Sequence, residues 1–523
     1  MNPRGVELSQ LRRVVGLTSI AYIALPVALW MLGWLAPLFA LIGIAALCTG
    51  TGLLASQIAA SARRDKDGRR ISRWEIAAVS IVVCIVIGLT GAGGFGVQTD
   101  DWLKHNAILS DLINQPWPVA YRTSAGPIAL VYYVAYYLPA ALVGKLCGWT
   151  AANLVLYGWT VLGGVLTVLW LVVLSRAPVW LCLLGFTFFS GLDAIGGWLR
   201  AAVSGAETWT SWTNNLQLEW WEGHWIIPGN LSLIAYVPQQ ALGGWLLTCL
   251  MIDGLRERTN RLPCVLIVAL ALMWSPYVAI GLGVLSVLSI VASGARIRTL
   301  AAGQLSLANL SGVIVGVICA VYFAARSAPV ALADAYVSPP SAFERGAFAV
   351  GLHEMPPLKF ALHYASSMLL EFGMLASLLA LVYRRRPGER QILVASTVTL
   401  LALPFFHHGH FNDLVMRVSI PPLFALLVLT LTALATAPSR AIRFSLIALL
   451  TIGALHPATR LRINALTVAR RGSVFQLSPV VSLFEMQLKV RDHWPYLYQY
   501  ICPLDSFFFN HMARQAIPID RDP

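Results

Sequence analysis

The residues best suited to chemistry lie in four short segments at the ends of apolar runs. In the first, Asp100 and Asp101 follow a glycine-rich stretch, and Lys104 and His105 come about one helical turn later. A carboxylate at the depth of a membrane interface could act as a general base, because partial burial raises its pKa. One carboxylate could instead cap a helix over 101–113, a role that does not need both.

The second segment, 198–230, mixes acids, indole rings and cations. Its candidate ligand-binding side chains are Arg200, Glu219, Trp221, Glu222 and His224. Carboxylates beside flat aromatic faces suit a sugar, because its CH faces stack on indoles while its hydroxyls bond to acids. The alternative is an aromatic belt at the membrane surface, which explains the tryptophans but not the acids and the histidine.

The third segment contains His408, His410 and Asn412, followed one turn into the next apolar run by Arg417. Its histidine spacing matches no zinc motif, so we predict no metal site there. An arginine inside a helix needs an anion, for which a substrate phosphate and Asp413 at i,i−4 are both candidates.

The fourth segment places a single carboxylate, Asp193, beside glycines near the end of an apolar run. It is either a helix-end cap or part of a cavity. The sequence contains no GxSxG motif, no phosphate-binding P-loop and no HExxH motif. Chemistry at these segments would therefore use pre-activated substrates.

Composition identifies the environment of these residues. The chain has 523 residues, of which 58% are hydrophobic and only 12% are charged, and its mean hydropathy is +0.70. Soluble proteins carry about 25% charged residues, so this is predicted to be an all-α polytopic membrane protein. The net charge of +13 fits basic cytoplasmic loops and does not require a nucleic-acid partner.

Thirteen crossings are predicted along the chain. They are 14–33, 36–56, 75–93, 151–174, 178–197, 231–252, 262–275, 277–293, 306–325, 360–383, 391–405, 414–436 and 443–456. Residues 127–146 are also long enough to cross, but counting them would put the basic loops near 256–261 and 384–390 outside. We therefore predict that 127–146 is an interfacial helix.

This topology predicts one transmembrane domain, 1–456, and an outer-face tail, 457–523, with the N-terminus in the cytoplasm. The large outer loops would be 94–150, 198–230, 326–359 and 406–413. All four candidate segments then lie on or next to the outer face, which is the periplasmic or extracellular face of a bacterial inner membrane.

The acidic pair after an early crossing, the long outer loop that follows it, the shortened later crossings and the outer tail resemble the GT-C superfamily. Members of this superfamily are integral-membrane glycosyltransferases with polyprenyl-phosphate-linked sugar donors. The resemblance covers most of the chain in architecture but only the Asp100–Asp101 element in motif. The chain departs from the pattern in its extra N-terminal hairpin, 14–56, which precedes the acidic loop.

The resemblance implies an inverting sugar transfer to an envelope glycan or glycolipid acceptor. Asp101, or Asp100, would be the general base, and Arg417 would hold the donor phosphate. No metal is required if arginine neutralises the phosphate, although some relatives use a divalent ion. The alternative function is a transporter, ligase or polymerase of lipid-linked glycans, none of which needs an aspartate base.

Overall fold

The computed structural model describes residues 5–64, 68–123, 126–204, 218–256, 262–293, 304–326, 349–350, 356–408, 412–436, 439–489 and 500–520. Within them the protein is predominantly helical. The helices are α1 Leu8–Trp34, α2 Pro37–Arg64, α3 Arg73–Ile87, α4 Asp101–Asn114, α5 Leu138–Ser175, α6 Val179–Phe188, α7 Asp193–Ser204, α8 Asn230–Tyr236, α9 Pro238–Arg256, α10 Cys264–Leu272, α11 Pro276–Ala292, α12 Leu307–Ala324, α13 Pro357–Met368, α14 Met374–Tyr383, α15 Pro387–Ala402, α16 Asp413–Val418, α17 Ile420–Thr436, α18 Arg440–Gly453, α19 Leu455–Arg471, α20 Leu483–Lys489 and α21 Phe507–His511.

Eight helical segments among the described residues are long and apolar enough to cross a membrane. They are Leu8–Trp34, Pro37–Arg64, Ala135–Ser175, Val179–Ala202, Leu307–Ala324, Pro357–Tyr383, Asp413–Thr436 and Arg440–Arg471. Each overlaps one of the predicted crossings, although Ala135–Ser175 begins 16 residues before the predicted 151–174 and Arg440–Arg471 ends 15 residues after the predicted 443–456. The prediction of a helical membrane protein is therefore confirmed.

The other five predicted crossings correspond to shorter or interrupted helices. Residues 262–293 form two pieces, α10 and α11, which meet at Ser275. The Ser275 hydroxyl accepts a hydrogen bond from the Val278 amide, and Pro276 occupies the first turn. Because proline has no amide hydrogen and fits the first helical turn, this pair ends one helix and starts the next.

The helix predicted over 127–146 is wrong in its first part. Residues Gly126–Leu130 form a strand that pairs with Ala120–Thr123, and the helix begins only at Leu138. It is then interrupted at Gly148, whose φ of 83° breaks the helical backbone before the long apolar run continues to Ser175. Tyrosine and β-branched residues at 128–134 satisfy either a strand or a buried helix, so the apolar pattern alone did not separate them.

A four-stranded sheet joins the C-terminal tail to the segment before α5. Its strands Ala120–Thr123 and Gly126–Leu130 form an antiparallel pair, flanked by Ile501–Pro503 and Ile519–Asp520 from the tail. Isolated β-bridges add two further contacts with the tail: Leu35 pairs with Ala513, and Phe95 pairs with Phe475. The tail therefore packs on the same end of the bundle as residues 34–36 and 94–130, which we call the tail end.

The opposite end of the bundle is rich in arginine, and we call it the arginine end. A cavity of about 1030 Å³ opens there, lined by Arg12, Arg64, Arg176, Arg256, Arg385 and Arg386 together with Asp253 and Glu389. Arg12 and Asp253 form a buried ion pair of 2.8 Å within it. Clustered arginines of this kind are expected where basic loops lie on one side of a membrane.

Candidate functional site at the tail end

Helix α4 presents the first candidate segment at the tail end. The ammonium of Lys104 lies 3.2 Å from Oδ1 of Asp101, and the lysine side chain is 3% exposed while the aspartate is 24% exposed. Arg417, near the start of a separate apolar run, is close enough to both to act on their charges. The fold therefore brings Arg417 into electrostatic range of Asp101 and Lys104, which lie more than 300 positions earlier in the sequence.

Arg417 is held by a carboxylate and a phenol. Its Nη2 lies 2.7 Å from Oδ1 of Asp413, one turn earlier on the same helix. Its Nη1 donates to the hydroxyl of Tyr133 at 3.1 Å, and its guanidinium lies 5.6 Å from the ring centroid of Tyr277. The pairing with Asp413 that the sequence allowed is present, and it fixes the position of a cation that acts on the charges of both Asp101 and Lys104.

Tyrosines form the apolar side of this site. Tyr132 and Tyr133 stack with their ring centroids 3.9 Å apart, and Tyr500 from the tail packs edge-on against Tyr132 at 4.8 Å. Tyr133 and Tyr500 are both within electrostatic range of Lys104. The tail thus contributes Tyr500 to the wall of the site.

The pKa of Asp101 moves opposite to the sequence expectation. Burial alone would raise it, but the charges of Lys104 and Arg417 outweigh burial and lower the pKa below its ordinary value. Burial likewise opposes the charge of Lys104, yet Asp101 and the neighbouring phenols raise the pKa of that lysine. The pair is therefore ionised at neutral pH, and Asp101 is a weaker base than an isolated buried carboxylate would be.

His105 lies behind this pair and does not line an open surface. Its side chain is fully buried, with Nδ1 2.5 Å from the hydroxyl of Tyr137 and Nε2 2.8 Å from the carbonyl of Tyr236. The carbonyl can only accept, so Nε2 carries the proton and Nδ1 accepts from the phenol. Burial, with Lys104 next in size, lowers the pKa of His105 to about 3, so the ring is neutral.

Asp100 is exposed and α4 begins directly after it, but its side chain makes no cap hydrogen bond. The hydroxyl of Thr99 donates to the carbonyl of Ala235. The capping alternative considered for this segment is therefore wrong for Asp100. Asp100 stands at the edge of the site, next to the carboxylate of the Asp101–Lys104 pair.

The histidine-rich segment is described in part. His408 lies 6.0 Å from the Tyr277 ring, centroid to centroid, beside Arg417, and burial lowers its pKa. Asn412 is 2% exposed, and its backbone adopts the left-handed conformation with a φ of 53°. Its side-chain amide donates to the carbonyl of Phe406. Asn412 therefore shapes the turn, while His410 lies outside the described residues.

The second candidate segment forms a separate cluster. Arg200 donates to the carbonyls of Trp220 and Trp221. Trp221 is 8% exposed and donates to Oε1 of Glu371 at 2.7 Å, so it presents no open indole face to a sugar. Glu222 accepts from the amides of residues 224 and 225 and lies 2.6 Å from Nδ1 of His363.

Glu219 also has protein partners. It is 5% exposed, accepts from the amide of Gly229 at 2.8 Å and lies 3.3 Å from Nδ1 of His456. His224 is exposed at the edge of this cluster. The acids of 218–222 are thus bonded to their own segment and to distant helices, and Asp101 is not among the groups that act on them.

Sequence reasoning missed four members of the second cluster: His363, Glu371, His456 and Arg460. Glu371 lies in the middle of an apolar segment, His456 is the last residue of the predicted crossing 443–456, and Arg460 follows that crossing. A carboxylate inside an apolar run was the available signal for Glu371, because such a residue is costly there without a role. Tyr133 and Tyr500 were also missed, since tyrosine at a membrane surface is common.

Comparison with known proteins returns no relative. No protein-family model matches the chain, and no curated protein or solved structure matches it. The chemistry of the tail end therefore has to be argued from its own residues.

Proposed function

We propose that the protein is a GT-C-like membrane glycosyltransferase that moves a sugar from a polyprenyl-phosphate donor to an envelope glycan or lipid acceptor. One observation carries this proposal. A partly exposed carboxylate, Asp101, stands beside two cations, Lys104 and Arg417, at one end of a helical membrane bundle. Transfer from a lipid phosphate needs a group that takes a proton and groups that hold a leaving phosphate.

Lys104 and Arg417 are suited to the phosphate. Arginine offers five N–H donors in a planar fork. Among the described residues, Asp413 contacts Nη2 of Arg417 and Tyr133 accepts from Nη1, which leaves further N–H groups able to donate to a phosphate. Lys104 is a compact charge whose aspartate partner lies at 3.2 Å. Together they would neutralise the charge that develops on the leaving phosphate, which is the largest electrostatic need of such a reaction.

Asp101 would then accept the proton of an acceptor hydroxyl, which attacks the anomeric carbon with inversion as the bond to the phosphate oxygen breaks. The cations that lower its pKa are the same ones that would bind the phosphate. The bound phosphodiester anion offsets part of their charge, so donor binding raises the basicity of Asp101. The lowered pKa of the free site therefore fits a base that becomes effective only when the donor is in place.

The tyrosine wall and the tail give the site its enclosure. Tyr132, Tyr133 and Tyr500 would exclude water from the activated sugar and so limit its hydrolysis. The topology that goes with this proposal has thirteen crossings, a cytoplasmic N-terminus and the tail end on the periplasmic or extracellular face of a bacterial inner membrane. In this reaction membrane lipids surround the donor, and no metal takes part.

The test uses membranes that contain the full chain and a panel of radiolabelled polyprenyl-phosphate sugars. We expect transfer of label to a membrane glycan or glycolipid. Replacing Asp101 with Asn should lower kcat about 10²–10⁴-fold, because a positioned general base contributes that much. Glu222→Gln is the matched control, since it removes a buried carboxylate at the same end of the bundle but outside the Asp101 site.

Full activity of the Asp101→Asn variant, with loss of activity in Arg417→Gln, would contradict an aspartate base. That result would favour the second function, a ligase, polymerase or transporter of lipid-linked glycans. No transfer from any lipid-linked sugar by the unaltered protein would remove the proposal altogether.

A further inference from the structure

Three buried side chains from distant parts of the chain meet between α7 and α19. They are Asp193, Glu219 and His456, with relative exposures of 0%, 5% and 1%. Nδ1 of His456 lies 3.3 Å from Oε1 of Glu219 and 4.0 Å from Oδ2 of Asp193. One oxygen or nitrogen from each residue falls within 4.8 Å of the others.

A fourth carboxylate, Glu371, lies against this group. It is 93% buried and close enough to Asp193 and Glu219 to act on their charges. Its Oε2 is pressed against Gly191, two residues before Asp193, since a Cβ built on that glycine would come within 2.1 Å of it. The glycine thus lets the carboxylate approach the turn that carries Asp193.

Two oxygens of the cluster have no protein donor among the described residues. Oδ1 of Asp193 and Oε2 of Glu371 are buried and accept no hydrogen bond, whereas the other oxygens accept from Ser190 and Trp221. Buried carboxylate oxygens without a donor are costly, because nothing replaces the water they have lost. A histidinium at position 456 does not satisfy either oxygen directly.

We propose that Asp193, Glu219 and His456, joined by Glu371, form a divalent-metal site of the zinc class. Imidazole nitrogen and carboxylate oxygen are ligands of Zn²⁺, at about 2.0–2.2 Å. Four donors at that distance in a tetrahedron are about 3.3 Å apart. The observed separations are 3.3 and 4.0 Å from His456, and the donor atoms of all three residues fall within 4.8 Å of one another, so the site needs to contract by at most about 1.5 Å to enclose the ion.

The ion would have a structural task. It would link α7, the turn at Leu218–Trp220, the π-helical turn Leu369–Gly373 and α19, which come from separate parts of the sequence. From α19, Arg460 lies 4.9 Å from the ring centroid of Tyr236, and the carbonyl of Tyr236 holds His105 behind the Asp101 site. This site is separate from the proposed transferase chemistry, and neither proposal depends on the other.

The metal content of the full-length protein tests the inference. Protein purified in detergent and passed through a metal-free column should retain about one Zn²⁺ per chain by mass spectrometry. Removal with a strong chelator should lower Tm, and added Zn²⁺ should restore it, because metal binding stabilises the folded state. Co²⁺ added to the metal-free protein should give the intense visible absorption of a tetrahedral nitrogen and oxygen site.

Two variants separate this cluster from its neighbour. Asp193→Asn with Glu219→Gln should abolish retention of the ion. Glu222→Gln should not, although Glu222 is equally buried and belongs to a nearby group with His224 and His363 that also has metal-ligand chemistry. If the double variant does not fold, the chelator and Co²⁺ measurements on the unaltered protein still decide.

Absence of bound metal, together with no Co²⁺ spectrum and no effect of the chelator on Tm, would overturn the inference. The cluster would then be a histidinium ion pair with the two acids. Loss of the ion in Glu222→Gln but not in the double variant would place the site at the neighbouring group instead, and would equally overturn it.

Discussion

Asp111 connects the tail to the helix that carries the proposed base, and its replacement should release the tail. The side chain is 1% exposed. Its Oδ2 accepts from the hydroxyl of Tyr121 at 2.7 Å and from the amide of Leu483 at 2.9 Å, while Oδ1 accepts from Gln115 at 3.1 Å. One carboxylate thus holds α4, the sheet and α20 together.

Asp111→Ala leaves these three donors without an acceptor. Each hydrogen bond to a charged group contributes about 1.5–3 kcal/mol, and water entering the space recovers part of that, so we expect a loss of about 4 kcal/mol. Since about 1.4 kcal/mol is a factor of ten, exchange of the Leu483 amide hydrogen with solvent should become about 10³-fold faster. Hydrogen–deuterium exchange of a peptide covering 480–486 measures this.

Two matched variants should destabilise the contact between the tail and α4 less than Asp111→Ala does. Asp111→Asn can turn its oxygen toward Tyr121 and Leu483 and its amide toward Oε1 of Gln115, which has no hydrogen-bond partner among the described residues. Tyr121→Phe removes only one donor, at a cost of about 1–1.5 kcal/mol. Unchanged exchange at Leu483 in Asp111→Ala, or equal effects of Ala and Asn, would refute this reasoning.

Three further predictions concern the rest of the bundle and are read from Tm. Arg12→Met should lower the free energy of unfolding by about 3–5 kcal/mol, because it removes the cation that lies 2.8 Å from the buried carboxylate of Asp253. A second change, Asp253→Leu, should recover most of that loss, and no recovery would show that the ion pair is not its cause. The pKa of His105, about 3 when folded against about 6.5 when unfolded, means that protons bind the unfolded chain first, so stability should fall below pH 6.5 by about 2 kcal/mol at pH 5. His105→Gln should flatten that dependence, and an unchanged profile would contradict the assignment. Gly93→Ala should destabilise the protein, since its φ is +59° and a Cβ would meet a backbone carbonyl at 2.2 Å, whereas Gly52→Ala, which meets nothing within 4 Å, should not.

The sequence predicted the elements better than it predicted their contacts. Long apolar runs located the eight membrane-length helices of the described residues, because an uninterrupted apolar run of about 20 residues is typical of a transmembrane helix. The strand at Gly126–Leu130 was missed because its partners include Ile501–Pro503, more than 370 residues away. No local pattern specifies a pairing of that range.

The same distinction holds at the candidate site. Asp101, Lys104 and Arg417 could be chosen as unusual polar residues at the ends of apolar runs, and they prove to be close to one another. Their effect on the pKa of Asp101 could not be predicted, because its sign depends on whether burial or the nearby cations dominate. Glu219 and Trp221 looked like ligand-binding residues, yet their polar atoms are occupied by Gly229 and Glu371.

Binding of a polyprenyl monophosphate, without a sugar, to the purified protein would test the phosphate site proposed at Lys104 and Arg417. Native mass spectrometry in detergent would compare the unaltered chain with Lys104→Gln, Arg417→Gln and Asp101→Asn. Loss of a charge-assisted phosphate contact of about 1.5–3 kcal/mol should weaken binding about 10–150-fold in each cation variant. Asp101→Asn should bind at least as tightly as the unaltered chain, because it removes a negative charge beside the phosphate. Equal binding by all four proteins, or weaker binding in Asp101→Asn alone, would contradict a phosphate site formed by Lys104 and Arg417.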